Sequence, residues 1–371
     1  MNPTYVLAAG GTGGHLFPAE AVARLLVAGG AAVHLLTDRR ADAFAASVPG
    51  VTVDLVRAGR FGGGPLHAAY GLAELAVGTV QARRLLRRLA PAAVVGFGGY
   101  PSVPTMLAAA QLGLPTLIHE QNAVFGRANR LLAPRARRIA TGFATVQGLR
   151  HVDRARVIHT GNPVRPAIRA VGETPYVPPT ENIELLVVGG SQGARVFGEI
   201  VPEALTLLPS ELRKHLRVSQ QARPEDKDAV TARYRELAID AEIESFFGDM
   251  PARLQRAHLV ICRAGASTIA ELAAAGRPAI LVPYPHAMDD HQTANAGEFA
   301  KSGGGRVISQ TEFSPAALAE RLAALFADPA ALSVAAVSAR DFARDDAAQH
   351  LAGLVQSLIH GSNGSPMERA A

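Results

Sequence analysis

Tryptophan is absent from this sequence, cysteine occurs once, and aromatic residues make up only 5% of it. A lone Cys262 excludes an internal disulfide or a thiolate metal cluster. It ends an apolar run, which suits a small buried hydrophobe better than a nucleophile. No run approaches the ~18 uninterrupted apolar residues of a membrane span. The N-terminus shows no basic stretch followed by an apolar segment and a small-residue cleavage site. It opens directly on Tyr5-Val6-Leu7-Ala8-Ala9, so no export signal is expected and the chain reads as cytoplasmic. No G-x-x-x-x-G-K-[ST] occurs, which speaks against P-loop nucleotide hydrolysis. His286, Asp289, Asp290 and His291 lie close in sequence but match no metal-ligand spacing, so neither metal nor cofactor is expected. Lysine is missing from residues 1–165, which carry 18 Arg against 7 Asp plus Glu, an excess of 11. Residues 166–371 carry 19 Lys plus Arg against 25 Asp plus Glu. A basic first half implies an anionic partner: a phosphorylated substrate, acidic lipid or nucleic acid. Its basic stretches lack the interleaved aromatics of single-strand binders, which lowers the nucleic-acid reading.

What is present is alternation. Tyr5–Ala9, Ala32–Thr37, Ala93–Phe97 and Pro115–His119 read as strands, with helices over Leu16–Ala28 and Ser102–Leu112. The pattern restarts at Ile183–Val188, with a helix from about Gly193. Strands over Ala241–Phe246, His258–Cys262 and Ala279–Val282 follow, with a helix over Ala266–Ala275 capped by Gly276 and another from about Asp290. This predicts an α/β fold of two tandem Rossmann-like, doubly wound parallel-sheet domains. Pro163, Pro166, Pro175, Pro178 and Pro179 predict a semi-rigid linker over 161–182, and 361–371 reads as a disordered tail. Ligands are expected at the carboxyl ends of the strands, in a cleft shared by the two domains.

Gly10-Gly11-Thr12-Gly13-Gly14-His15 and Gly189-Gly190-Ser191-Gln192-Gly193-Ala194-Arg195 each follow the first strand of a half and open a helix. Glycine lets backbone N–H groups approach a phosphate, and the helix dipole favours its charge. Neither loop is a clean dinucleotide fingerprint, although Asp38 at the end of the second strand keeps a nicotinamide oxidoreductase in view. The bland alternative is a pair of tight turns. Gly98-Gly99-Tyr100-Pro101-Ser102 and His119-Glu120-Gln121-Asn122 also follow strands, as a site or as a buried polar network. Glu271 lies one turn beyond Ser267 and Thr268, placed to accept both hydroxyls of a ribose. The alternative is N-capping by Ser267 with dipole complementation by Glu271. Gln292 and Asn295 suit sugar hydroxyls. Residues 66–89 are amphipathic with Arg83, Arg84, Arg87 and Arg88 at one end, fitting either a core-facing helix or an anionic interface.

Taken in order, GGTGGH at 10–15, GGYPS at 98–102, HEQN at 119–122, TGNPVR at 160–165, GGSQGAR at 189–195, GASTIAE at 265–271 and DHQTANA at 290–296 span nearly the whole chain. Together they resemble the undecaprenyldiphospho-muramoylpentapeptide β-N-acetylglucosaminyltransferase family. The resemblance implies the GT-B glycosyltransferase architecture. Residues 1–163 would face acceptor and membrane, 164–340 would bind the UDP-sugar, and a last helix over about 341–360 would cross back to the first domain. It implies a metal-independent, inverting transfer of N-acetylglucosamine to the C4 hydroxyl of a lipid-linked diphosphate muramoyl-pentapeptide. Implied donor contacts are Thr12, Gly13, Gly14, Asn122, Arg165, Ser191, Phe247, Ala266, Ser267, Thr268, Glu271 and Gln292. Implied acceptor and diphosphate contacts are Gly11, Thr12, Gly13, Gly14 and Tyr100. His15 and Glu120 compete for the role of base. The partners implied are UDP-N-acetylglucosamine, the lipid-linked acceptor, an anionic membrane surface on the cytoplasmic side and, as candidates, other cell-wall synthesis proteins. Two departures stand out. Without tryptophan, anchoring would rely on leucines, Tyr70, Phe125 and arginines. Phe247 also stands where a small aliphatic residue is common. Rival readings are a UDP-sugar 2-epimerase or a glycolipid glycosyltransferase.

Overall fold

A computed structural model of the chain describes residues 2–10, 13–38, 48–59, 64–190 and 193–360. It divides into two compact units, one of Met1–Pro163 with Asp346–Ala371, the other of Val164–Asp345. The expected tail at 361–371 lies outside the described residues.

The first unit holds β1 (Thr4–Ala8), β2 (Ala32–Thr37), β3 (Val51–Leu55), β4 (Ala93–Gly96), β5 (Thr116–Glu120), β6 (Arg138–Thr141) and β7 (Val157–His159). Their order is β3-β2-β1-β4-β5-β6-β7, and every pairing is parallel. A parallel sheet is covered on both faces at its centre, so β1 and β4 are apolar and buried, whereas the edge strand β3 is partly exposed. Tyr5 and Leu7 turn to one face, under the Gly13–Ala28 helix (Val22, Leu26) and the final helix Ala347–His360 (Leu351, Val355). Val6 turns to the other, against Leu86 of the Pro65–Leu89 helix and Val103 and Met106 of Ser102–Gln111. Pro65–Leu89 is two-sided. Ala82 and Leu86 are buried, while Tyr70, Leu72, Val77 and Val80 face out from the same helix. Phe125 does not join that outer face; it is buried in the core beside Ile118 and Leu132, because the chain there is paired through Phe125 N–H to the Gln147 carbonyl.

The second unit holds β8 (Ile183–Val188), β9 (Leu216–Gln221), β10 (Asp240–Glu244), β11 (Leu259–Cys262), β12 (Ala279–Leu281) and β13 (Gly305–Val307), ordered β10-β9-β8-β11-β12-β13 and again all parallel. Leu185, Val187 and Ile261 pack on Phe197, Val201 and Leu318, with Phe197 edge-on to Phe313 at 5.7 Å. The two-domain doubly wound expectation holds. The helix expected from Gly193 begins at Arg195, because Gly193 turns through a positive φ of 69°. Gly276 caps Ala266–Ala275 in the left-handed conformation.

The expected linker is not a spacer. Pro166–Val171 is a short helix, since a proline in the first turn gives up an N–H that has no helical partner there. Its Ile168 and Val171 are buried, and it packs on Met250–Arg256 and Ala266–Ala275. Downstream, the Tyr176 hydroxyl donates to the His258 carbonyl at 3.0 Å. Among the described residues no single helix is long and apolar enough to cross a membrane.

Candidate functional site

In each sheet the strand order reverses once, between β1 and β4 and between β8 and β11, and such a reversal opens a crevice at the strands' carboxyl ends. In the first unit the start of the helix Gly13–Ala28 and the loop 97–101 lie there. Gly11 and Thr12 lie outside the described residues; Gly13 and Gly14 already belong to the helix. His15 sits in that helix's first turn with its imidazole against Gly98 and Gly99, both at positive φ (86° and 74°). A Cβ at Gly98 would lie 3.2 Å from His15 Cε1, and one at Gly99 3.2 Å from Cδ2. The glycine pair therefore serves as the bed of the imidazole. Tyr100 follows it, partly buried.

His15 Nδ1 lies 3.0 Å from Gln121 Oε1. Gln121 is buried, its Nε2 at 2.9 Å from the Phe97 carbonyl, 3.2 Å from the His119 carbonyl and 3.1 Å from His119 Nδ1. His119 Nε2 in turn reaches the Gly161 carbonyl at 3.3 Å, and the ring meets Phe97 edge-on. Full burial pushes the His119 imidazole down to about 4, so it is neutral near pH 7.

Glu120 is differently placed. Its carboxylate is buried, with one oxygen accepting from Asn122 N–H (3.0 Å) and Asn122 Nδ2 (3.3 Å) and the other from Gly126 N–H and Asn129 Nδ2, both at 2.8 Å. Four donors make it the clasp of residues 120–129, and Asn122 supplies two of them.

In the second unit, Ser191 lies outside the described residues. The neighbouring turn closes through Gly193 N–H to the Gly190 carbonyl. The helix Ala266–Ala275 starts from Gly265 with no side chain on its opening N–H groups. Ser267 is therefore not its cap, contrary to one sequence alternative. Its position is inside the first turn, where it and Thr268 are both partly exposed. One turn on, Glu271 accepts from Arg165 Nε (3.0 Å) and Nη2 (2.8 Å), both on Oε1. Burial raises the Glu271 carboxyl above its usual range, opposed by Arg165.

Gln292 Oε1 accepts from the Ala264 and Tyr284 amides at 3.2 and 2.9 Å, which leaves its amide N–H groups as the part able to meet a ligand. Asn295, expected to meet a sugar, is fully buried and donates to the Ala264 carbonyl at 3.1 Å, so it props the loop instead. Phe247 is buried beneath the Arg253 guanidinium, 3.9 Å from its ring centre. Arg263 was not singled out by sequence, yet it ties the 282–284 loop to Gln310 through the Val282 and Pro283 carbonyls. Burial pushes the Cys262 thiol up to about 12, in keeping with a buried hydrophobe. Among the described residues no three His, Cys, Asp or Glu converge as a metal site.

Comparison with known proteins follows the same division. The N-terminal domain model of glycosyltransferase family 28 matches residues 5–141, and its C-terminal domain model matches 184–351. The chain is 56% identical over 361 residues to a Rhodospirillum centenum protein named UDP-N-acetylglucosamine–N-acetylmuramyl-(pentapeptide) pyrophosphoryl-undecaprenol N-acetylglucosamine transferase, covering 97% of this chain and 95% of that one. A Paramagnetospirillum magneticum protein of the same name is 52% identical, with 98% and 99% covered. Among solved structures, MurG of Acinetobacter baumannii superposes with a TM-score of 0.77 at 33% identity, over 96% of this chain and 99% of that one.

Proposed function

Since the chain belongs to glycosyltransferase family 28 and, within it, to the UDP-N-acetylglucosamine–N-acetylmuramyl-(pentapeptide) pyrophosphoryl-undecaprenol transferases, we propose how its residues divide the work. The enzyme moves N-acetylglucosamine from UDP-N-acetylglucosamine to the C4 hydroxyl of the muramoyl sugar on the lipid diphosphate, a step of peptidoglycan synthesis. The epimerase, oxidoreductase and nucleic-acid readings fall away with that membership.

The second unit takes the donor. Glu271 accepts the ribose hydroxyls, with Arg165 beside it at the uracil end. The backbone at Phe247 faces the base. Ser191, Ala266, Ser267, Thr268 and the two helix N-termini hold the diphosphate, whose charge grows as the glycosidic bond breaks. Gln292 donates to a sugar hydroxyl, and Asn122, Arg165, Thr12, Gly13 and Gly14 complete the donor contacts. Gly11, Thr12, Gly13, Gly14 and Tyr100 take the acceptor diphosphate. In one displacement the C4 oxygen attacks the anomeric carbon, the bond to UDP oxygen breaks, and the hydroxyl proton passes to a base, with inversion.

The base is His15. What carries this choice is the contrast with Glu120, whose two oxygens already accept four hydrogen bonds, whereas His15 is seated at the strand-order reversal on a glycine bed. The outward face of Pro65–Leu89, with Tyr70, Leu72, Val77 and Val80 exposed alongside Arg84, Arg87 and Arg88, supports peripheral binding to an anionic membrane on the cytoplasmic side. The test is transfer of radiolabelled N-acetylglucosamine to a lipid-linked muramoyl acceptor with chelator present, where activity is expected to persist. His15→Ala is expected to lower kcat by about 10²–10⁴ with UDP affinity unchanged. Wild-type turnover in that variant would remove His15 as the base.

A further inference from the structure

We propose that Gln121, backed by His119 and by the Phe97 and His119 carbonyls, is a positioning residue that holds His15 in its Nδ1–H tautomer and so puts the basic lone pair on Nε2. This rests on the reading of His15 as base and adds how that base is prepared.

The backbone groups around Gln121 have fixed hydrogen-bonding roles. Backbone carbonyls only accept. Two of them, Phe97 O at 2.9 Å and His119 O at 3.2 Å, face the same atom of the Gln121 carboxamide, which must therefore be its NH2. The other carboxamide atom is then the oxygen, 3.0 Å from His15 Nδ1. An oxygen cannot donate, so Nδ1 carries the hydrogen. The second histidine agrees independently. His119 is fully buried and neutral, and its Nε2 faces the Gly161 carbonyl at 3.3 Å, so Nε2 carries its single hydrogen. Its Nδ1 is then an acceptor, able to share one of the two Gln121 NH2 hydrogens at 3.1 Å with the adjacent His119 carbonyl. The chain of donors is thus Gln121 to His119 on one side and His15 to Gln121 on the other.

Turning the carboxamide over would set its oxygen against two carbonyls and a ring lone pair. The opposite His15 tautomer would set Nδ1's lone pair against Gln121 Oε1. A buried network with one satisfied arrangement specifies that arrangement. The proton taken from the acceptor hydroxyl arrives at Nε2 while the Nδ1–H bond stays intact. Because Gln121 is neutral, it orients the ring without holding the charge that forms. Wrong-tautomer placement of a catalytic imidazole lowers turnover by up to about 10⁴.

The test is long-range ¹H–¹⁵N NMR on the full chain with ¹⁵N-labelled histidine, the His15 signals being those missing from His15→Ala. The wild type is expected to show a protonated Nδ1 and an unprotonated Nε2 at His15. Gln121→Met removes the acceptor while keeping most of the volume. It is expected to give a tautomer mixture and a kcat lower by roughly 10–10³-fold, with KM for the UDP-sugar unchanged. An Nε2–H signature in the wild type overturns the inference while leaving His15 as base, provided His15→Ala is inactive. Retention of both the Nδ1–H signature and full kcat in Gln121→Met also overturns it. A fully active His15→Ala defeats the underlying reading instead. If Gln121→Met fails to fold, the wild-type spectrum decides alone.

Discussion

The fit between the imidazole and the glycines beneath it can be tested by comparing two alanines. Gly99 and Gly113 both belong to the first unit and have nearly the same positive φ, 74° and 70°. Alanine at either site strains the backbone by about 1 kcal/mol. For a unit of this size that lowers Tm by about 2–4 °C. Their surroundings differ. A Cβ at Gly113 meets nothing within 4 Å, while one at Gly99 lies 3.2 Å from His15 Cδ2 and 3.3 Å from the Gly10 Cα. Gly10 is backbone and yields little, so the ring must move by a few tenths of an ångström. If a 1 Å misplacement costs roughly 10² in rate, this shift lowers kcat about 3- to 10-fold. Calorimetry and steady-state transfer kinetics on both variants give the comparison. Similar Tm losses, a kcat deficit confined to Gly99→Ala and an unchanged KM for the UDP-sugar are expected. Equal kcat losses in both, or none in Gly99→Ala despite its Tm loss, would refute the seating of His15 described above.

Glu120→Gln puts an NH2 among donors, so a stability loss of about 1–3 kcal/mol is expected by chemical denaturation. A large kcat loss without any stability loss would identify Glu120 as the base instead. Arg165→Met removes the cation that opposes burial at Glu271, so that carboxyl rises further. Ribose hydroxyls need the anion. Donor affinity is therefore present above the Glu271 pKa and lost as pH falls through it, and in the variant the loss begins at higher pH. Calorimetric titration with UDP that shows only a pH-independent drop would count against this coupling. Replacing Tyr70 and Leu72 with serine is expected to weaken binding to anionic vesicles several-fold while leaving the fold intact by circular dichroism. Unchanged vesicle sedimentation would move the anchor elsewhere.

Much of the architecture is legible in the sequence, because parallel strands buried on both faces announce themselves as apolar runs followed by glycine turns, as at Tyr5–Ala9 and Ile183–Val188. Short strands are harder. Three-residue β7 and β13 carry too few side chains to show a period. The Pro166–Val171 helix hides behind a proline that elsewhere would forbid it. At the site, residue identities were readable but assignments were not. HEQN names four polar groups in a row. Their division into a clasp (Glu120 with Asn122) and a relay (His119 with Gln121) depends on Gly161, Gly126 and Phe97, which are remote or offer only backbone. In sequence Asn295 suits a sugar hydroxyl as well as Gln292 does, because its full burial cannot be read from one polar letter.

The last helix has a bearing on the order of folding. Leu351, Val355 and Leu358 lie in the core of the first unit although they are made after the whole of the second. Burying three such side chains contributes about 5–9 kcal/mol, on the scale of a domain's entire stability. On the ribosome, the second unit, being contiguous, can mature as soon as it emerges. The unit begun first must wait for the helix Ala347–His360, so a chain stopped before that helix is made carries a complete second unit and an unfinished first.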